Sequence, residues 1–322
     1  MARSPLARLR GALRPPHRLR SVYERTLGTE MELQVVADTR AQAETAEQAA
    51  RDETERLTRI LNRFDPGSEL SRWAATREEV VPVSPELWTV LQAAEEWRAR
   101  TGGAFHPGAD ALGALWQAGA ARDELPDEAA LARVISQLGG PLWTLRPDGT
   151  ATRHGSLPLG LNALAKGYVV DRAAGAAFAS PGVRAVLVNV GGDLRTMGGT
   201  GLNVAVADPF TARDDAPPLT TVHVREGALA TSGQAHRGYR VGGEWFSHVL
   251  DPRTGQPVSG VPGVTVTAPD CLTADALATA LSVLDVPQGL ALADATPGAA
   301  ALIVTRDGER HASGRWPPPS RR

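Results

Sequence analysis

Residues 159–178 read LGLNALAKGYVVDRAAGAAF, and residues 179–194 continue as ASPGVRAVLVNVGGDL. The first stretch reads as a turn feeding a helix of small residues. Residues 185–190 form an apolar run interrupted only by Asn189, which marks a strand covered on both faces. Gly191-Gly192-Asp193 then breaks it.

Upstream, residues 29–37 make the first strand, with mixed alternation. A helix is expected over residues 43–64, because Ala46, Ala50, Leu57, Ile60, Leu61 and Phe64 share one face. Asp65-Pro66-Gly67 ends it. Ser84 can cap a second helix with Pro85 in its first turn, and Leu87, Val90, Leu91, Ala94 and Trp97 form its stripe. A third runs over residues 127–138, and a hairpin turns at residues 146–149. Downstream lie strands near residues 202–207, 220–224 and 300–305. Thr273 can cap a helix over residues 274–284. Strands and helices are not in strict βαβ repetition and no internal repeat occurs, so the fold class is α+β.

The chain has 322 residues, 42% hydrophobic and 22% charged, an ordinary globular composition. A net charge of -2 supplies no field for nucleic acid. The single cysteine, Cys271, rules out an intrachain disulfide and thiolate zinc sites. Residues 1–24 read as a disordered basic arm and 313–322 as a disordered tail, with residues 25–312 between them as one domain. Arginines and prolines interrupt every apolar stretch of the arm, and no lipobox cysteine is present. That points to the cytoplasm, with an extracytoplasmic, membrane-associated location as the alternative.

Four segments exceed what a plain core needs. Thr101-Gly102-Gly103-Ala104-Phe105-His106-Pro107 fits close backbone approach to a ligand with an aromatic over a ring system. Taken alone it fits a helix-ending turn better. Asn162-Ala163-Leu164-Ala165-Lys166-Gly167-Tyr168 leaves N–H groups free for an anion, with Lys166 adding charge, though Walker A spacing is absent. His248 stands before the turn Asp251-Pro252-Arg253-Thr254-Gly255, as a proton acceptor or a structural histidine. Asp275 and Thr279, four apart, share a helix face. They suit a hard cation such as Mg2+, or else a helix dipole and a self-bonded hydroxyl.

Seven segments fall in one order: GSELSR (67–72), GGAFHP (102–107), LNALAKGYVVD (161–171), VNVGGDL (188–194), ATSGQ (230–234), SHVLDPRTGQPV (247–258) and ADALATAL (274–281). In that register the chain resembles the ApbE family of FAD:protein FMN transferases, from about residue 27 to 305. The resemblance implies two lobes around a flavin-nucleotide cleft, with FAD as substrate and Mg2+ as cofactor. It places Leu27, Phe64, Ala104, Phe105, His106, Asn162, Lys166, Tyr168 and Leu250 against FAD. It gives the cation the side chains of Asp275 and Thr279 and the Ala165 carbonyl. His248 becomes the base, and Asp251 its orienting partner. FMN would pass to a Thr or Ser of an acceptor protein with a D-[ST]-G-A-[ST]-like motif, which this chain lacks, releasing AMP. His106 and Gly160 stand where the family usually carries Asp. An FAD pyrophosphatase and a non-catalytic FAD-binding protein are the alternatives.

Overall fold

The computed structural model describes residues 15–199, 201–211, 216–233 and 237–317. Strands β1 (His17–Thr26) and β2 (Thr29–Ala37) form a hairpin through Leu27 and Gly28, whose φ values of 51° and 82° are left-handed. Residues 17–24 are therefore not a disordered arm. They pair with β2, and Leu19 and Tyr23 pack on the main core. Residues 1–14 of the expected arm, and Gln234 of the ATSGQ segment, lie outside the described residues.

Helix α1 (Arg40–Leu61) starts where the Thr39 side chain accepts from Gln42 N–H. It stops three residues before Phe64, which is 75% exposed instead of facing the core. After it come α2 (Glu69–Ala75), β3 (Val80–Pro82), α3 (Pro85–Arg100), α4 (Asp110–Ala120) and α5 (Glu128–Leu138). Ser84 caps α3 and Asp127 caps α5, as their sequences require. Then β4 (Trp143–Leu145) and β5 (Thr150–Arg153) lead into α6 (Asn162–Phe178).

The remaining strands are β6 (Val183–Val190), β7 (Asp193–Gly198), β8 (Leu202–Val206), β9 (Thr220–Val224), β10 (Gly227–Gly233), β11 (Gly238–Val241), β12 (Glu244–Ser247) and β13 (Gly263–Ala268). Helices α7 (Cys271–Leu281) and α8 (Val286–Ala295) and strands β14 (Ala300–Val304) and β15 (Arg310–Ala312) complete the order. The principal sheet has eight strands in the order β1-β2-β6-β7-β10-β13-β14-β15, and its neighbours run antiparallel.

Strand β6 is covered on both faces, as its apolar run requires. Val186, Val188 and Val190 join Val169, Val170, Ala173 and Ala177 of α6 in the main core. Leu187 faces the other way, into a cluster with Leu194, Val206, Val222, Val224 and Leu229. A third cluster joins Leu112, Trp116, Leu131, Leu138 and Leu250, away from the main sheet. The tail also departs from expectation at residues 313–317. Ser313 Oγ accepts from Ala301 N–H, and Arg315 donates to the carbonyls of Ala293, Asp294, Thr296 and Ala299. Residues 318–322 lie outside the described residues. Among the described residues no helix is long and apolar enough to cross a membrane.

The crossing of α6 and α7 positions the site. Helix α7 starts at Cys271, three residues before the expected start, because Asp270 rather than Thr273 is its cap. The Asp270 side chain accepts from Thr273 N–H, while Asp171 of α6 accepts from the N–H groups of Cys271 and Leu272. Burial pushes the Asp171 carboxyl up to about 6 despite these two donors. Gly167 makes the approach possible: a Cβ there would lie 2.6 Å from the Cys271 carbonyl oxygen and 2.7 Å from Leu272 Cα.

Gly167→Ala is therefore expected to destabilise the chain and weaken any ligand held between the two helices. Overpacking against backbone costs about 1–3 kcal/mol. Alanine's better helix propensity returns about 1 kcal/mol at most. Urea unfolding checks this, and a variant of native midpoint would show that the helices part without strain.

Candidate active site

Asp193 opens β7 directly after the buried strand, and it is only 1% exposed. A carboxylate that deep needs a partner. The partner is Lys166 in the first turns of α6, with Nζ 2.5 Å from Asp193 Oδ2. The two groups form an ion pair that holds Lys166 on Asp193. Asp275 of α7 is 6% exposed, lies within hydrogen-bonding reach of Asp193, and keeps its Oδ2 buried without a partner.

Two carboxylates thus face one ammonium. Burial raises the Asp275 carboxyl well above the ordinary range, the Asp193 charge raises it further, and Lys166 opposes both. For Lys166, burial works against its charge, but Asp275 and Asp193 outweigh it and the group ends above its usual value. An orphaned carboxylate oxygen beside a second buried carboxylate fits a hard divalent cation. Thr279, one turn along α7, is half-buried, and Ala165, next to Lys166, is 8% exposed. These are the residue types such a cation takes.

Helix α6 has no side-chain cap at Leu161, and Asn162 is exposed. Its first N–H groups can therefore meet an anion.

His248 follows β12. Its Nδ1 lies 2.9 Å from the Arg237 carbonyl oxygen, which can only accept. The proton therefore sits on Nδ1, and Nε2 carries the lone pair. Burial lowers the His248 pKa, the Arg237 carbonyl opposes this, and the Arg237 charge adds to the lowering. Asp251 does not orient this ring. Its oxygens accept from Arg253 N, Nε and Nη2, which ties them to the turn.

Val249, beside His248, packs with Ala104 and with Val283 and Leu284 just beyond α7, so two of the quoted segments meet there beside the end of α7. A cleft of about 480 Å3 opens between Gly102, Gly103, His106, Leu138 and Arg253. Phe105 does not line it as a ring cover. It is 3% exposed and belongs to the main core. Leu250 is likewise buried, among Leu112, Trp116 and Leu131. Phe64 is the accessible ring, with the Arg63 guanidinium 4.9 Å from its centroid. Leu27 and Tyr168 are half-buried against the main core.

The sequence pattern of the ApbE family matches residues 27–303. The chain belongs to the ApbE family. Curated relatives named FAD:protein FMN transferase include those of Rhodobacter capsulatus (31% identical, 87% of this chain, 54% of the relative) and Treponema pallidum (31%, 72% of this chain, 69% of the relative). The chain thus spans about half the length of the R. capsulatus protein. The ApbE protein of Thermotoga maritima is structurally similar, with TM-score 0.77 and 28% identity over 93% of this chain and 97% of that one. The flavin transferase ApbE of Vibrio cholerae gives TM-score 0.74 and 27% identity over 93% of this chain and 98% of that one.

Within this ApbE fold the two departures acquire local explanations. His106 uses both ring nitrogens: Nδ1 accepts from Gly108 N–H at 3.0 Å, and Nε2 donates to the Leu138 carbonyl at 3.0 Å. Burial, partly offset by that carbonyl and aided by Arg98, pulls its pKa down to about 4, so the ring is neutral at neutral pH. At Gly160, a Cβ would lie 2.8 Å from the Asp110 carboxylate, which is paired with Arg63. The carboxylate missing at 160 is replaced in space by one from α4.

Gly160→Asp alone is expected to destabilise the chain by about 1–3 kcal/mol through overpacking, with like-charge repulsion added. The double change with Asp110→Gly should recover most of the loss. Melting curves decide it, and an equally stable single variant would count against the exchange.

Asp193 is not among the residues expected from sequence, and Gly-Gly-Asp closing a buried apolar strand is its signal there.

Proposed function

We infer that this ApbE-family chain is an FAD:protein FMN transferase working with a divalent cation such as Mg2+. Family membership supports the transfer. The unpartnered, buried Asp275 oxygen is the single observation that supports the cation.

In this reading the FAD pyrophosphate lies at the uncapped start of α6, and the exposed Phe64 ring offers a face to the flavin. Asp275, Thr279 and the Ala165 carbonyl would hold the cation. Once bound, it offsets the charge that builds on the pyrophosphate. His248 Nε2 takes the proton of an acceptor Ser or Thr hydroxyl. The freed oxygen bonds to the FMN-side phosphorus, the bond to the second phosphate breaks, and AMP leaves with that electron pair. The Arg237 carbonyl keeps the imidazole in the tautomer this requires.

The test is mass spectrometry of an acceptor domain carrying the motif, after incubation with this chain, FAD and Mg2+. One FMN on a motif hydroxyl, lost with chelator, is expected. Free FMN and AMP without an adduct would overturn the reading in favour of hydrolysis.

A further inference from the structure

The cation reading leaves Lys166 unexplained. An ammonium within the site competes with any cation for the same carboxylates. It is not loose: its Nζ sits 2.5 Å from Asp193 Oδ2, while Asp275 Oδ2 has no partner. The two carboxylates are contributed by β7 and α7, and the lysine by α6. Asp193, 1% exposed, reaches neither solvent nor an alternative cation among its described contacts.

We propose that Asp193 is a positioning residue that sequesters Lys166, so that Asp275 stays open for a divalent cation. The proposal rests on the cation reading above. Its logic is charge arithmetic in a buried place, where each unit charge is screened far less than at the surface. With Asp275 ionised, as holding a cation requires, native Asp193, Asp275 and Lys166 sum to −1. Removing the Asp193 charge gives 0 and frees Lys166 to turn onto Asp275. Removing the Lys166 charge gives −2. Removing both restores −1, with Asp275 still open.

Mg2+ titration by calorimetry, without FAD, orders the variants. Asp193→Asn is expected to bind Mg2+ at least about tenfold more weakly than native protein, Lys166→Met more tightly, and the double variant within about threefold of native.

Should Lys166→Met not fold, Asp193→Asn and the double variant still decide the matter. Native protein that takes up no Mg2+ would remove the cation reading, and this proposal with it. If native protein binds while Asp193→Asn binds equally well, only the present proposal falls. A double variant as weak as Asp193→Asn would make Asp193 a direct ligand of the cation, and would also overturn the sequestering role.

Discussion

Asp275→Asn is expected to abolish Mg2+ binding and to slow FMN transfer on the order of 10²–10³-fold, while the chain folds normally. The magnitude is that of losing one preorganised electrostatic group at a phosphoryl centre. The folding part follows from the sign of the pKa shift. Burial holds the Asp275 carboxyl well above its ordinary value, so the folded state binds protons more readily than the unfolded one. Such a group costs stability above its unfolded pKa, and the cost fades as pH falls towards that value. Asparagine keeps the shape and removes the charge. In chelator at pH 8 the variant should therefore melt at or above native protein, with the difference shrinking in acid. Calorimetric melting with and without Mg2+ separates the two effects. A variant that still binds Mg2+, or one that melts far below native protein in chelator, would make Asp275 structural.

His248→Ala is expected to lower the turnover rate by about 10²–10⁴, the usual contribution of a general base, with little change in the FAD dissociation constant. The ring has its proton fixed on Nδ1 by the Arg237 carbonyl, so Nε2 is free to accept. Burial lowers its pKa, so the imidazole stays neutral further into acid than a free histidine does. The native rate should hold through neutral pH and fall only below the ordinary histidine value of about 6.5. The variant should lose that acid limb. Rate–pH profiles with saturating FAD test both points. A defect wholly recovered by more FAD would make His248 a binding residue and leave the proton acceptor unassigned.

Much of the fold is written locally. Strand β2 spans residues 29–37 as its alternation implies, and α3 and α5 begin at the caps their sequences carry. Each depends on periodicity or on a side chain reaching a backbone N–H three residues away, so neighbours in sequence suffice. The order of the seven motifs was equally legible, and with it the family. The Asp275 and Thr279 pair on one helix face needed only a spacing of four.

The rest depended on tertiary structure, because it joins residues far apart along the chain. Asp171 covers the first N–H groups of α7 from 100 residues upstream. Strand β1 is a strand because β2 offers its edge and the core receives Leu19 and Tyr23. Phe64 and Phe105 are the same residue type, yet one is exposed and the other buried, since α1 ends before Phe64 while the 101–105 turn folds Phe105 inward. Asp251 lies three residues from His248 in sequence, yet Arg253 occupies both of its oxygens. The Lys166–Asp193 pair arises only where α6 crosses α7 beneath β7. Gly167 permits that crossing because it has no Cβ to meet the Cys271 carbonyl.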